Sequence, residues 1–249
     1  MSYTRWNESG YYIWGGQNHV NFDGVEIEDD AIDVFLYKLY EVRGGDDEEF
    51  WLRYEHGKRI VKNFEKGFKI EKLTVYETEN LQEKAAEIAA LADEIWHEHF
   101  TPMIGGAQVD YMLAKFQSAK QIHTDIKKNE YVYFTARETG ENRLIGYCAA
   151  VPKDGLLFQS KLYIHRDYRG KGIARAFFDE VTELCRWEYG YNKIRLTVNK
   201  NNDSAIAAYR KMGFETVDSV KTDIGEGFFM HDYVMEYRVP SVQFTETTK

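Results

Sequence analysis

Only two cysteines, Cys148 and Cys185, and three prolines occur in 249 residues, so little in this chain is stapled or locally stiffened by its covalent chemistry. Both thiols lie inside apolar segments. That suits buried side chains in a reducing cytoplasm better than a disulfide framework. No apolar run approaches the ~18 residues that a membrane span requires, and the opening Met-Ser-Tyr-Thr-Arg-Trp-Asn-Glu has no apolar signal core. Metal ligation is expected to be absent. His97 and His99 have no third ligand nearby, and the His-Glu-x-x-His spacing of a zinc protease does not occur. Positive charge is also short, with 32 Lys and Arg against 41 Asp and Glu, a formal charge of −9. An acidic surface repels nucleic acid and membranes and favours a cationic partner such as an amine.

What is present is a large apolar supply, 43% hydrophobic and 15% aromatic, enough for one sizeable core and a small extension. No repeat or low-complexity tract interrupts it. Residues 1–69 read as a separate extension. Val20-Asn21-Phe22 and Val25-Glu26-Ile27 flank Asp23-Gly24, the composition of a tight hairpin. Two helices are expected after it, one carrying Ile32, Phe35, Leu36 and Leu39, the other Phe50, Tyr54, Ile60, Val61 and Phe64. Trp6, Tyr11, Tyr12, Trp14 and Phe22 read as its small core. This extension is expected to pack on the main domain or on a second copy of the chain, as in a homodimer.

Residues 70–249 form the main domain. A strand near Lys72–Val75 precedes a helix started by Asn80 and Glu83 in a capping-box pattern and striped by Leu81, Ala85, Ile88, Leu91, Ala92 and Ile95. A loop is expected at Phe100–Gly106, then short helices at 109–116 and 119–126. Strands follow at 131–136, 144–151 and 156–164, then helix 172–188, strand 192–198, helix 203–212 and two closing strands. With the two short helices counted as one element, this β-α-α-β-β-β-α-β-α-β-β order is that of an α/β fold, a mixed sheet with helices on both faces.

Function is written most plainly in Lys161–Ala174. A strand runs into a charged turn and then a glycine-bearing loop that opens directly into a helix. Such a loop leaves several N–H groups pointing one way at the positive end of a helix dipole, a receptor for phosphate or pyrophosphate. Gly170 and Gly172 let an anion approach the main chain closely, and Arg169 and Lys171 add charge at the rim. P-loop and dinucleotide spacings are both absent.

Arg169-x-x-Gly172-x-Ala174 resembles the acetyl-CoA signature of the Gcn5-related N-acetyltransferases. Two further blocks resemble that family in the right order: Ile194–Val198 with Asn202-x-x-Ala205-x-x-x-Tyr209-x-Lys211-x-Gly213-Phe214, and Phe228–Glu236. The resemblance covers roughly residues 70 to 238. It implies a mostly antiparallel sheet whose two central strands splay after the glycine loop, with acetyl-CoA as cosubstrate. The pantetheine arm would lie along Leu162, Tyr163 and Ile164, where an amide, that of Leu162, faces the thioester oxygen. The pyrophosphate would rest on the amides of Arg169, Gly170, Lys171, Gly172, Ile173 and Ala174 with Arg175 at the edge, while Asn202 and Lys211 hold the pantetheine and nucleotide ends. Tyr209 is the implied proton donor to the departing thiolate. A phenol near pKa 10 can donate to a thiolate near ~8.5 within one hydrogen bond.

Two roles are harder to assign. Many relatives carry a glutamate base in the strand before the glycine loop, but this chain has Lys161 there. Water-mediated proton removal, or prior deprotonation in a low-dielectric site, is expected instead. For the acceptor, Glu94 and Glu98 share a helix face and could hold an ammonium group, with Trp96 as an apolar or cation–π wall; a solvated face with a core tryptophan is the plainer alternative. This segment, with Gln108–Met112 and Lys115–Ser118, resembles bacterial spermidine/spermine-type acetyltransferases. His165 is expected in solvent beside the loop, and His231-Asp232 on a closing strand at the cleft. The expected activity is transfer of acetyl from acetyl-CoA to a primary amine of a small molecule, a polyamine among the candidates. The alternatives are acetylation of a protein N-terminus or lysine, or a CoA-binding module without turnover.

Overall fold

The computed structural model describes residues 59–73 (61 apart) and 80–240, together with the backbone of four short strands near the N-terminus. The two helices expected within 30–64 fall largely outside the described residues, as does the Asp23-Gly24 turn. The chain divides into two compact units, residues 1–71 with 136–143, and residues 72–135 with 144–249.

The first unit holds strands β1 (Ser2–Trp6), β2 (Tyr11–Gly16), β3 (His19–Phe22) and β4 (Val25–Glu28) in an antiparallel sheet of that order. Phe22 pairs with Val25, as the hairpin composition implied, and the sheet has two strands more than the composition suggested. In the same unit, Arg137 pairs with Glu71 at 3.4 Å and the Thr139 amide donates to Gly67 O at 3.1 Å.

β5 (Phe68–Leu73) belongs to a seven-stranded sheet with β6 (Val132–Glu138), β7 (Leu144–Lys153), β8 (Leu156–Ile164), β9 (Lys193–Asn199), β10 (Glu215–Gly225) and β11 (Phe228–Arg238). Its order is β10-β11-β9-β8-β7-β6-β5. The β8–β9 pair runs parallel, and the β7–β8, β9–β11 and β10–β11 pairs are antiparallel.

Helix α1 (Leu81–His99) buries the stripe Leu81, Ala85, Ile88, Ala92, Ile95 and Trp96 at helical spacing. α2 (Thr101–Ile104), α3 (Gly106–Met112) and α4 (Ala119–Lys128) follow it, with a π-helical turn at Leu113–Gln117. These helices share one core with Tyr133, Leu144, Tyr147 and Ala149 of the sheet. α5 (Ile173–Glu183) and α6 (Asp203–Met212) serve the opposite face, where Phe178 of α5 touches both Phe214 and Tyr237.

Two local expectations are corrected. Asn80 is the N-cap residue of α1 but makes no side-chain cap bond, because its backbone (φ −110°, ψ 1°) is not extended as capping requires. The Phe100–Gly106 loop contains a helical turn, α2, with Pro102 in its first turn, where a missing N–H costs nothing.

Candidate active site

The site begins where the sheet fails to close. β8 and β9 pair only through Leu157–Ile194 and Phe158–Arg195. Beyond that point β8 stays with β7 as far as Ile164, and β9 stays with β11 as far as Asn199. Ser160 has no partner on β7, since Ala150 pairs with Gln159 and Ala149 with Lys161. Such a bulge adds twist and turns a strand away from its neighbour. Alternate backbone groups of Gln159–Ile164, those not spent on β7, therefore line a wedge-shaped gap. The Gln159 carbonyl oxygen Oε1, at the apex of this gap, is buried without a hydrogen-bond partner.

At the end of β8 the chain makes a 3₁₀ turn, Arg166–Tyr168, and enters α5 through Gly170 (φ +80°) and Gly172 (φ +90°). Gly172 is the left-handed N-cap residue of α5, a conformation that favours glycine. It leaves the first amides of α5 without intrahelical acceptors. Lys171 Nζ lies 4.4 Å from the Tyr168 ring centre, and Arg175 donates to Asp179 at 2.8 Å along the helix. Arg169 is fixed from two sides: its Nε donates to Ile164 O at 3.1 Å, and its guanidinium meets Glu98 at 2.7 Å. That hydrogen bond chiefly, with the positive charge of Arg169, holds the Glu98 carboxyl below its usual range.

The acceptor-side residues expected from sequence are thus engaged close to the loop. Glu98 meets Arg169, while Glu94 meets His165 at 2.7 Å. His165 is buried at 4% exposure, which corrects its expected place in solvent. Its ring satisfies both Glu94 and the Asp167 amide, and no apolar pattern in the sequence announces such a polar anchor. Trp96 is in the core, 4.8 Å from Phe100 and 5.4 Å from Tyr163 between ring centres. Lys161 lies in a buried ion pair with Asp125 at 3.2 Å, and burial chiefly lowers its pKa while the aspartate opposes the shift.

Tyr209 projects from α6 beside Phe214. Burial pushes its phenol well above the usual range, the neighbouring Cys148 thiol adds to the effect, and the Gln159 side chain opposes it. Tyr163 is raised too, by burial first and then by the proximity of Tyr209 and of Asp232. Asn202 is the N-cap residue of α6: its Oδ1 accepts from the Ala205 amide at 3.3 Å and stands 3.4 Å from His99 Nε2. Lys211 is exposed in the last turn of α6. On the far rim, the tip of the β10–β11 hairpin is fastened to α3 and the turn after it. Tyr111 and Lys115 both donate to Ile224 O, and Gln108 donates to Phe229 O at 2.9 Å.

The profile of the acetyltransferase (GNAT) family matches residues 89–214, half of the chain. The chain belongs to that family. A Pectobacterium atrosepticum protein named as an acetyltransferase is 39% identical over 61 residues, 24% of this chain. The match spans only about two-fifths (41%) of that relative. Among solved structures, the PaiA N-acetyltransferase of Thermoplasma acidophilum, in complex with coenzyme A, is similar over 69% of this chain and 98% of its own (TM-score 0.56, 20% identity). A Staphylococcus epidermidis probable acetyltransferase is similar over 70% of this chain and 99% of its own (TM-score 0.52, 15% identity). At these identities the GNAT likeness is one of fold.

Proposed function

We propose that this GNAT-family chain transfers the acetyl group of acetyl-CoA to a primary amine of a small molecule, with polyamines the first class to test. The parting of β8 and β9, immediately ahead of a glycine-opened helix N-terminus, carries this reading. A strand edge with free amides suits an extended amide-containing arm, and the α5 terminus suits its diphosphate. Arg169, held by Glu98 and Ile164 O, stands at the rim of that anion site. Tyr209 keeps its proton at neutral pH, as a donor to a thiolate must. The coenzyme A bound by the Thermoplasma protein supports the same cosubstrate here.

In this reading the amide of Leu162 faces the carbonyl oxygen of the thioester, and its dipole stabilises charge that grows there during attack. Tyr209 protonates the sulfur as the C–S bond breaks. The fastened β10–β11 hairpin supports a small acceptor over a folded protein, because the rim it forms is bridged to α3. Two unpaired, buried cysteines support a cytoplasmic setting.

Calorimetric titration of coenzyme A into the full chain is expected to give saturable heat. A panel of diamines, polyamines and peptides, followed by thiol release and mass spectrometry, should single out small amines. Tyr209→Phe should lower turnover about 10²-fold or more while leaving the affinity for coenzyme A within twofold. Peptide acetylation with no amine turnover would favour the protein-modifying alternative. Binding without any transfer would leave a CoA-binding module.

A further inference from the structure

The acetyl-transfer reading leaves the ammonium proton of the acceptor without a destination. Lys161, at the strand position where a base is sought, is locked in a buried pair with Asp125. Glu94 and Glu98 are spent on His165 and Arg169. The described residues contain another buried carboxyl, and it lies at the mouth of the gap.

Asp232 sits on β11 opposite Asn199, the last residue of β9, and opposite Val220 of β10. Asn199 is well past Arg195, where contact between β8 and β9 ends, so Asp232 stands at the wide end of the wedge. The two-residue alternation of a strand decides which face it takes. Phe228 and Met230 pack on the core beneath α1 and α3, whereas Tyr237 packs against Phe178 of α5. Asp232 follows Phe228 and Met230 in register, and so lies on the α1 side of the sheet. Tyr209 belongs to the opposite side, on α6. Tyr163 lies between the two, close enough for each to raise its phenol. Acid and carboxylate thus approach the gap from opposite faces.

We propose that Asp232 accepts the proton of the incoming ammonium group. The proposal rests on the acetyl-transfer reading above. Its carboxylate is buried, at 6% exposure, and among the described residues no hydrogen-bond donor is spent on it. Burial drives its pKa up to about 6, with Lys200 opposing. The groups around it are Lys200 from the β9–α6 link, Tyr163 from β8, and the uncharged partners Asn199 and Val220. A carboxyl so placed is ionised at neutral pH and more basic than an exposed one.

The ammonium N–H bond breaks and its proton passes to an Asp232 oxygen. The freed nitrogen pair forms the C–N bond at the acetyl carbonyl carbon, and the C=O pair moves to oxygen. As the oxyanion collapses, the C–S bond breaks and the thiolate takes the Tyr209 proton. The nitrogen of the new amide gives up its second proton to the Tyr209 phenolate through solvent, which restores the tyrosine. Asp232 releases its proton to water when the amide product leaves.

The test uses the full chain, with 1,3-diaminopropane and a weakly basic oxyamine of similar size as acceptors. In the wild type, ¹³C carboxyl NMR should show Asp232 titrating near pH 6, and kcat/KM for the diamine should rise through the same pH. Asp232→Asn should lose that acidic limb and fall about 10²-fold in kcat/KM for the diamine. Its deficit should be below tenfold for the oxyamine, which has less need of a base, and coenzyme A affinity should stay unchanged. A carboxyl titrating in the ordinary aspartate range, an acidic limb that survives in Asp232→Asn, or equal deficits with both acceptors would overturn the assignment. Wild-type protein that acetylates no amine would instead count against the enzymatic reading itself.

Discussion

Asp125 and Asp232 are both buried on the α1 side of one sheet, yet they are treated in opposite ways. Asp125 is closed in by donors: it receives Lys161 at 3.2 Å, Tyr133 at 3.1 Å, Gln121 at 2.7 Å and Asn129 at 3.2 Å. Lys161 is in turn flanked by the rings of Tyr131 and Tyr133, 5.0 and 5.5 Å from its Nζ. Asp232, where β8 and β9 have parted, feels the charge of Lys200 but has no bonded donor among the described residues. A buried carboxylate surrounded by donors is a structural element, fixing α4 against β6 and β8. One left wanting a proton at the rim of a gap is a reactive element. The two carboxyls differ in chemistry because their surroundings differ, closed by four donors in one place and open in the other.

The largest effect that could break this comparison is at the closed end. Lys161→Met leaves Asp125 buried without its counter-ion and should cost about 3–5 kcal/mol in urea unfolding. Lys161→Met with Asp125→Leu should recover at least half of that, since an apolar pair of similar volume need not be less stable. A single-variant loss below about 1 kcal/mol would mean that the neutral donors Tyr133, Gln121 and Asn129, not Lys161, satisfy the aspartate.

At the open end the sign reverses. Asp232 titrates near 6 in the folded chain and near 3.9 when unfolded. Between these values the folded state holds the extra proton, so the contribution of this group to stability is full below the unfolded pKa and is lost as pH rises through about 6. Asp232→Asn should therefore be more stable than wild type by roughly 1–3 kcal/mol at pH 8, with the advantage vanishing near pH 4. Thermal unfolding across that range checks it, and a destabilised variant at pH 8 would show that Asp232 is structurally satisfied after all.

The smallest effect lies between the two ends. Glu98 and Arg169 form a largely exposed pair, so Glu98→Gln should change stability by less than about 1 kcal/mol. Freed from Glu98, Arg169 should hold its anion less well, and KM for acetyl-CoA should rise a few-fold while KM for the acceptor stays fixed. A shift confined to the acceptor would return Glu98 to the amine subsite expected from its helix face.

Elements with strong local signals were legible in the sequence. β8 occupies its expected residues because the apolar stretches Leu156–Phe158 and Leu162–Ile164 are bounded by Asp154-Gly155 and the charged turn. α6 does so because Asn202 caps it and Gly213 ends it with φ +98°. The GNAT fold and the glycine loop followed from such signals. What stayed hidden depends on partners far along the chain. The burial of His165 is set by Glu94, 71 residues earlier, and that of Lys161 by Asp125, 36 residues earlier. No residue pattern marks the bulge at Ser160 or the short β8–β9 contact, because both arise from how three strands share register. The sequence puts Asp232 on a closing strand, but its lack of donors is a property of the assembled sheet.

The two-pair contact between β8 and β9 also has a thermodynamic side. An interior strand edge with unmet amides is a defect that the polypeptide cannot mend by itself, and the acyl donor is the piece that completes it. Occupied at a hundred times its dissociation constant, such a ligand adds about 2.7 kcal/mol to the folded state. The protein's resistance to unfolding and proteolysis would then track the cell's supply of activated acetyl groups, so that a starved cell holds less of the catalyst as well as less of its fuel.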